Sequence, residues 1–302
     1  MPDIRFDNQV AVVTGAGGGL GRQHALALAA RGAKVVVNDL GGAVDGTGGG
    51  SEAALKVVAE IKAAGGQAIA DGASVTDEAG LAAMAQRAVS EWGRIDILVA
   101  NAGILRDRSF SKMEMADFET VLNVHLMGTV KAAKAVWEVM RAQNYGRIVM
   151  TTSPTGLYGN FGQTNYGAAK LGIVGFMNSL KLEGQKHNIH VNTINPVAAT
   201  RMTEHLMPPP ILKALRPEFV TTGVLYLASS DAPSGCILTA AGGAFSLVRV
   251  HETEGVFLGE QGLSPEAVRD NWEKIADPAG QQAFANGGEQ TAKVFRAIHV
   301  GG

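Results

Sequence analysis

The chain has 302 residues, 26 of them Lys or Arg and 28 Asp or Glu, and its net charge of −2 with no long basic run argues against nucleic acid as a main partner. Apolar residues make up 46% of it, enough for a large core, and the length suits a single α/β domain. The one cysteine, Cys236, excludes an intrachain disulfide and fits a reducing compartment.

Val10 to Val13 is a short β-branched run and reads as a buried strand. It enters Thr-Gly-Ala-Gly-Gly-Gly-Leu-Gly, Thr14 to Gly21, and then an Ala/Leu-rich helix from about Arg22 to Ala30. Strand, glycine-rich turn and helix together make a phosphate cradle: backbone N–H groups and the positive helix end face an anion, and glycines admit a pyrophosphate. Lys34 to Asn38 is a second strand, and Asp39 follows about twenty residues after the turn. There a carboxylate can bind the adenosine ribose hydroxyls of NAD and repel the 2′-phosphate of NADP. A long glycine-rich loop follows, either a flap near the adenosine or a flexible insertion, and Ser51 reads as the N-cap of a helix from Glu52 to Ala64.

Gln67 to Asp71 predicts a weaker third strand, Asp77 to Glu91 a helix, and Ile95 to Val99 a fourth strand ending in Ala-Asn-Ala-Gly, Ala100 to Gly103. Small residues at a strand's end let a flat group lie against the backbone. Arg106, Arg108 and Lys112 cluster just beyond; solvated surface is the plainer reading, contact with substrate phosphates the functional one. Glu114 to Arg141 has apolar residues at helical spacing and reads as one long helix with Asn123 inside it, bonding backbone or holding a water near the site.

The stretch Ile148 to Leu171 carries the chemistry. Ile148 to Met150 ends a buried strand, Ser153 follows it, and a loop leads into a helix bearing Tyr166 and Lys170. Four residues apart, those two share a helix face. A Lys ammonium beside a phenol stabilises phenolate, which predicts a Tyr166 pKa below its reference of about 10 and proton exchange with an alcohol near neutral pH.

Ile189 to Ile194 is the sixth strand, with Pro196 expected to stop it and open a long loop; His187 and His190 lack a third ligand and read as surface residues, not a metal site. Pro217 to Ser229 reads as a helix and Cys236 to Ala240 as a last short strand, after which the alternation stops at Gly242. In the remaining tail Ser264 caps a helix with Pro265 at its first position, and Glu289 to Ile298 is a second helix. This tail is too short and polar for its own core and should pack on the main domain or a partner subunit. The expected division is residues 1–245 as a dinucleotide-binding catalytic domain and 246–302 as an extension. No apolar run approaches a membrane span, no signal peptide is visible, and the end is not a peroxisomal tripeptide, so cytosol is the expected location.

Taken together, Thr14–Gly21, Asp39, Asn101–Gly103, Asn123, Ser153, Tyr166 and Lys170 resemble, in order and spacing along residues 9–245, the short-chain dehydrogenase/reductase family. Asn-Asp-Leu-Gly-Gly, Ala-Gly-Ile-Leu-Arg-Asp-Arg-Ser-Phe, Val-His-Leu-Met-Gly and Arg-Met-Thr carry a closer resemblance, to the (3R)-hydroxyacyl-CoA dehydrogenase part of type 2 peroxisomal multifunctional enzymes and its bacterial relatives. Two departures from the wider family are Ala100 for the first Asn of Asn-Asn-Ala-Gly, and Ser74 for an Asp before Val75 that holds adenine; the type 2 enzymes share that Ser.

The resemblance implies a doubly wound, Rossmann-type parallel sheet with helices on both faces and a C-terminal helical extension. It implies NAD as cofactor, bound by Gly15, Gly19, Leu20, Gly21, Asp39, Ser74, Val75, Asn101, Ala102, Gly103, Pro196, Tyr166 and Lys170. Tyr166 is then the proton-transfer group, Lys170 lowers its pKa and binds the nicotinamide ribose, Ser153 holds the substrate oxygen, and Asn123 positions a water in the relay. The implied partner is a small molecule, an acyl-CoA thioester, and the implied assembly a homodimer or homotetramer. Two alternatives stay open: a hydroxysteroid dehydrogenase, and a non-catalytic nucleotide-binding regulator, against which the intact Asn, Ser, Tyr and Lys set argues.

Overall fold

The computed structural model describes residues 3–198 and 214–300; the Arg201–Thr203 part of the family resemblance lies outside them. The chain forms two compact units, Met1–Leu247 and Val248–Gly302.

The first unit is built on one eight-stranded sheet. Its strands are β1 (Val10–Thr14), β2 (Lys34–Asn38), β3 (Gln67–Asp71), β4 (Ile97–Ala100), β5 (Gly146–Thr151), β6 (Ile189–Val197), β7 (Ile237–Ala241) and β8 (Ala244–Val248). Their order is β3-β2-β1-β4-β5-β6-β7-β8, and β1 to β7 pair in parallel. β1, β4 and β5 are buried along their whole length, which is why Val10–Val13, Ile97–Ala100 and Ile148–Met150 read as unbroken apolar runs instead of alternating ones. The connecting helices are α1 (Gly19–Ala30), α2 (Glu52–Ala63), α3 (Glu78–Trp92), α4 (Met115–Leu122), α5 (Gly128–Gln143), α6 (Pro154–Tyr158), α7 (Thr164–Gly184) and α8 (Pro217–Ala228). The doubly wound Rossmann-type sheet is therefore as the resemblance implied. The strand order reverses between β1 and β4, and a crevice at the carboxyl ends of strands on either side of such a switch point is where this architecture takes ligands.

Four local expectations are corrected. The long helix is not continuous: α4 and α5 are separated by a π-helical turn, Asn123–Met127. Such a turn inserts one extra residue and re-aims the side chains on it. Pro196 does not stop β6 but pairs with Ala240 inside it. β5 accompanies β6 only to Ile194, so beyond that point one side of the strand is an edge, where a missing N–H costs no ladder bond. Ser51 is not a side-chain cap: its backbone is already helical (φ −75°, ψ 0°) and its carbonyl accepts Leu55 N–H. The strand expected at Cys236 to Ala240 is not the last one: the alternation of strand and helix does stop at Gly242, but the two-residue Gly242-Gly243 connection turns the chain into β8 as a hairpin beside β7.

The second unit holds α9 (Pro265–Asp270), α10 (Trp272–Ala276) and α11 (Gly287–Val300). Ser264 Oγ accepts Ala267 N–H at 3.0 Å and Pro265 sits at the first helical position, as the sequence predicts. Lys293 ties α11 to Glu252 at 3.0 Å and to the carbonyl of Thr253, and Glu252 pairs antiparallel with Gln282. Among the described residues no helix is long and apolar enough to cross a membrane, and no three His, Cys, Asp or Glu form a metal-holding group.

Candidate active site

One cleft of about 1200 Å³ opens along the carboxyl ends of the strands. Of the residues singled out from the sequence, Gly15, Gly19, Leu20, Asp39, Ser74, Val75, Asn101, Ala102, Gly103, Asn123, Ser153, Tyr166, Lys170 and Pro196 all line it; Gly21 does not. Gly21 is a packing glycine: a Cβ there would sit 2.1 Å from the carbonyl oxygen of Gly15. Gly15 itself has φ +63°, and a Cβ on it would lie 2.7 Å from Ala102 Cα. β1, the turn and β4 thus close on one another without side chains between them. Asn101 completes the join by donating to the carbonyls of Thr14 and Gly15, both at 3.2 Å, while its own N–H goes to Thr14 Oγ1.

These residues fit a dinucleotide. α1 begins at Gly19 with no side-chain cap on its first N–H groups, which leaves that helix end to an anion. Asp39 stands at the end of β2, its Oδ2 accepting Gly17 N–H at 2.7 Å and its Oδ1 accepting Gly41 N–H at 2.6 Å. A carboxylate has about four acceptor positions, so both oxygens can still take ribose hydroxyls. The glycine-rich loop after it is more than a slack insertion: Gly50 N–H bonds Leu40 O, Ala43 N–H bonds Thr47 O, and Val44 O accepts Leu105 N–H. It forms one wall of the cleft.

At the far end, β5 delivers Thr151 and then Ser153, which caps α6 by accepting Thr155 N–H at 3.2 Å. α7 carries Tyr166 and Lys170 on one face, with Lys170 Nζ 5.5 Å from the Tyr166 ring centroid and donating to Thr151 O at 2.7 Å. Ser153 and Lys170 are buried. Burial raises the Tyr166 pKa above 10; the hydrogen bond from Ser153 pulls it down and the charge of Asp107 pushes it up. The same burial takes Lys170 down to about 7. The expectation that Lys170 depresses Tyr166 is therefore not met in the chain by itself: an ammonium that is itself half discharged near neutral pH, and bonded to a carbonyl, is a weak source of positive potential.

Asn123 is exposed on the cleft wall at the start of the π-turn, not buried in a helix. Sequence reasoning missed His125, which the same turn carries inward. It is buried, packs edge-to-face on Tyr166 with centroids 5.1 Å apart, and lines the cleft. The available signal was an ionisable residue within an otherwise apolar helical stripe. In the basic loop, Arg106 is engaged, bonding Asp117 at 2.8 Å and Asp45 O at 3.0 Å, whereas Arg108 and Lys112 are exposed.

Lys170 has a measurable consequence for stability. Its folded pKa of about 7 lies below its unfolded value near 10.4, so the unfolded chain holds more protons between them. The burial penalty is complete below about pH 7 and disappears as pH rises through the unfolded pKa. Lys170→Met should therefore stabilise the cofactor-free protein at pH 7 by on the order of a few kcal/mol, with the gain shrinking toward pH 10. Urea melts of both proteins at pH 7 and 9.5 check this; a constant gap would mean that the ammonium is not buried.

A model of the short chain dehydrogenase family matches residues 9–209. The mouse peroxisomal multifunctional enzyme type 2 is 49% identical over 299 residues, covering 98% of this chain but 40% of that enzyme. A short-chain type dehydrogenase/reductase of Mycobacterium tuberculosis is 49% identical over 284 residues, 93% of this chain and 97% of its own length. The solved full-length peroxisomal multifunctional enzyme type 2 of Drosophila melanogaster superposes with a TM-score of 0.83 at 36% identity, over 98% of this chain and 50% of the fly chain. This chain thus spans 40% of the mouse enzyme and half of the fly chain. Their peroxisomal names overturn the cytosolic expectation, which rested only on signals not seen in the sequence. The sheet order agrees with the family match, and the chain belongs to the short-chain dehydrogenase/reductase family.

Proposed function

We propose that the protein oxidises (3R)-3-hydroxyacyl-CoA thioesters to 3-ketoacyl-CoA, or runs the reverse, with NAD as the redox partner. The observation that carries the reading is the convergence of Ser153, Tyr166 and Lys170 on the cleft that also holds the glycine-rich turn and Asp39. When bound, a nicotinamide supplies the hydride acceptor; the protein supplies orientation and the proton path. Gly15, Gly19 and Asp39 hold the dinucleotide, with Ser74 and Val75 on the adenine side. Ser153 donates to the substrate oxygen and Tyr166 Oη takes the hydroxyl proton in oxidation, returning it in reduction. Lys170 stands behind the phenol at the end of β5 and passes the charge change on. With Arg106 engaged, a contact for CoA phosphates falls to Arg108 and Lys112. Residues 1–245 act as the catalytic domain, 246–302 as an extension, and the working assembly is a homodimer or homotetramer.

The test is NADH formation across (3R)- and (3S)-3-hydroxyacyl-CoAs of several chain lengths and a set of hydroxysteroids. Turnover confined to the (3R) thioesters is expected. Steroid turnover alone would replace the substrate class while leaving the oxidoreductase assignment in place.

A further inference from the structure

Residues 40–50, between β2 and α2, run along the cleft beside Asp39, with Leu40, Gly41, Gly42, Ala43, Val44 and Gly46 on its wall. The base of this flap is closed by Gly50 N–H on Leu40 O at 2.7 Å. Its tip is a self-bonded turn. Ala43 N–H donates to Thr47 O at 2.7 Å and Gly46 N–H to Ala43 O at 3.0 Å, while the Asp45 carboxylate accepts both the N–H and the hydroxyl of Thr47. Residues 43–50 are all exposed. With so little burial, the flap stays down only through its bonds to the body of the domain. Among the described residues, two hydrogen bonds tie its tip there: Leu105 N–H to Val44 O and Arg106 Nε to Asp45 O, both at 3.0 Å. Both donors belong to the segment after β4, which is anchored from its other side. Arg106 O accepts Asn165 Nδ2 at 3.1 Å, and Arg108 N–H donates to Gly162 O at 2.9 Å. Asn165 is fully buried, and its Oδ1 accepts Tyr166 N–H at 2.7 Å. The guanidinium is braced as well, with Nη1 donating to Asp117 Oδ1 on α4 at 2.8 Å. A Cβ on Gly46, at φ +86°, would stand 3.2 Å from Ile104 Cγ2, so glycine lets the tip settle on that side chain.

We propose that Arg106 is a positioning residue of the dinucleotide site: its guanidinium, braced by Asp117, holds the glycine-rich flap down along the adenosine half of the cleft and so slows release of the dinucleotide. Arg106 acts through the flap and touches no reacting atom. The proposal rests on the dinucleotide reading above and not on the identity of the alcohol.

Two substitutions loosen the hold from opposite sides. Arg106→Gln removes the guanidinium and leaves the backbone carbonyl on Asn165, so the Tyr166 end stays in place. Gly46→Ala strains the tip at its positive φ and crowds Ile104 without changing a charge. ADP-ribose carries the adenosine and lacks nicotinamide; nicotinamide mononucleotide carries the other half and lacks adenosine. In both variants the dissociation constants of ADP-ribose and NADH should rise by roughly tenfold, mostly through faster release, while that of nicotinamide mononucleotide stays within about twofold. The gap between Arg106→Gln and wild type should persist at about 0.5 M salt, where a pure charge effect is screened. A gap that salt abolishes, or equal losses for the two fragments, would make Arg106 a source of charge or a part of the general scaffold and overturn the proposal. With any alcohol that the wild type oxidises, KM for NAD should rise with these constants, and kcat should fall by no more than about threefold.

One readout needs no variant. In the wild type, hydrogen exchange at the Leu105 amide, whose acceptor is Val44 O, should slow on adding ADP-ribose and not on adding nicotinamide mononucleotide. An unchanged Leu105 amide overturns the proposal even if neither variant folds. Binding of NADH without binding of ADP-ribose would overturn it alone, by placing the adenosine away from the flap; failure of both to bind would take the cofactor reading with it. If no 3-hydroxyacyl-CoA is oxidised, the substrate reading fails while these binding measurements still decide the role of Arg106.

Discussion

Replacing Tyr166 by Phe is expected to lower turnover by roughly 10²–10⁴ while leaving dinucleotide binding near wild type. The substitution removes one oxygen and little else. The ring packs edge-to-face on His125 at an interplanar angle of 89°, and phenylalanine keeps that contact. Lys170 remains on Thr151 O and Ser153 remains the cap of α6, so the walls of the cleft are preserved. What is lost is the phenol oxygen beside Ser153, the group proposed to take and return the proton. Single-turnover NADH formation and NADH fluorescence titration measure the two halves of the expectation. Turnover close to wild type would remove Tyr166 from the chemistry and leave the cleft as a binding site. Burial adds a sign: in the cofactor-free protein it holds the Tyr166 phenol above its ordinary range. A spectrophotometric phenol titration with and without dinucleotide is expected to show the phenol lowered only in the loaded site.

The second large effect is expected in cofactor choice. Asp39 is held at the end of β2 by the N–H groups of Gly17 and Gly41, which fix its carboxylate at the cleft wall, where the proposed binding mode puts the adenosine half. Hydroxyls of an unphosphorylated ribose can donate to it, and such charge-assisted bonds contribute about 1.5–3 kcal/mol. A 2′-phosphate brings two more negative charges to the same place. Leu40, 44% exposed, and Gly41 follow, so no cation directly after the strand offsets them. At about 1.4 kcal/mol per decade, wild-type kcat/KM should favour NAD over NADP by tenfold to a hundredfold or more. Asp39→Ser with Leu40→Arg should erode or reverse that preference and leave kcat with the better cofactor within about an order of magnitude, since Tyr166 is untouched. Equal use of the two cofactors by the wild type would show that Asp39 does not face the ribose.

Much of this molecule was decided by local chemistry and could be read along the chain. β2 and β3 have the predicted bounds, because a β-branched or alternating run between turns has few other ways to satisfy its backbone. Ser264 and Pro265 start α9 through a bond between neighbours three residues apart. The glycine-rich turn, Asp39, Ser153, Tyr166 and Lys170, singled out along the chain, come together in one cleft because the parallel sheet aligns its strand ends.

Other features depended on neighbours remote in sequence. Whether Pro196 ends a strand turns on how far β5 runs beside β6, which no window around the proline contains. The exposed β8 carries no burial pattern to distinguish it from a tail, and exists because β7 offers it an edge. Helical periodicity places Asn123 and His125 by counting 3.6 residues per turn, and a single π-turn breaks the count, sending the histidine to the phenol and the asparagine to the exposed wall. The pKa of Tyr166 is decided the same way. Spacing puts a lysine beside it, but the sign follows from how much water the finished fold excludes, and burial acts on both groups: it raises the phenol and discharges the amine that was expected to lower it.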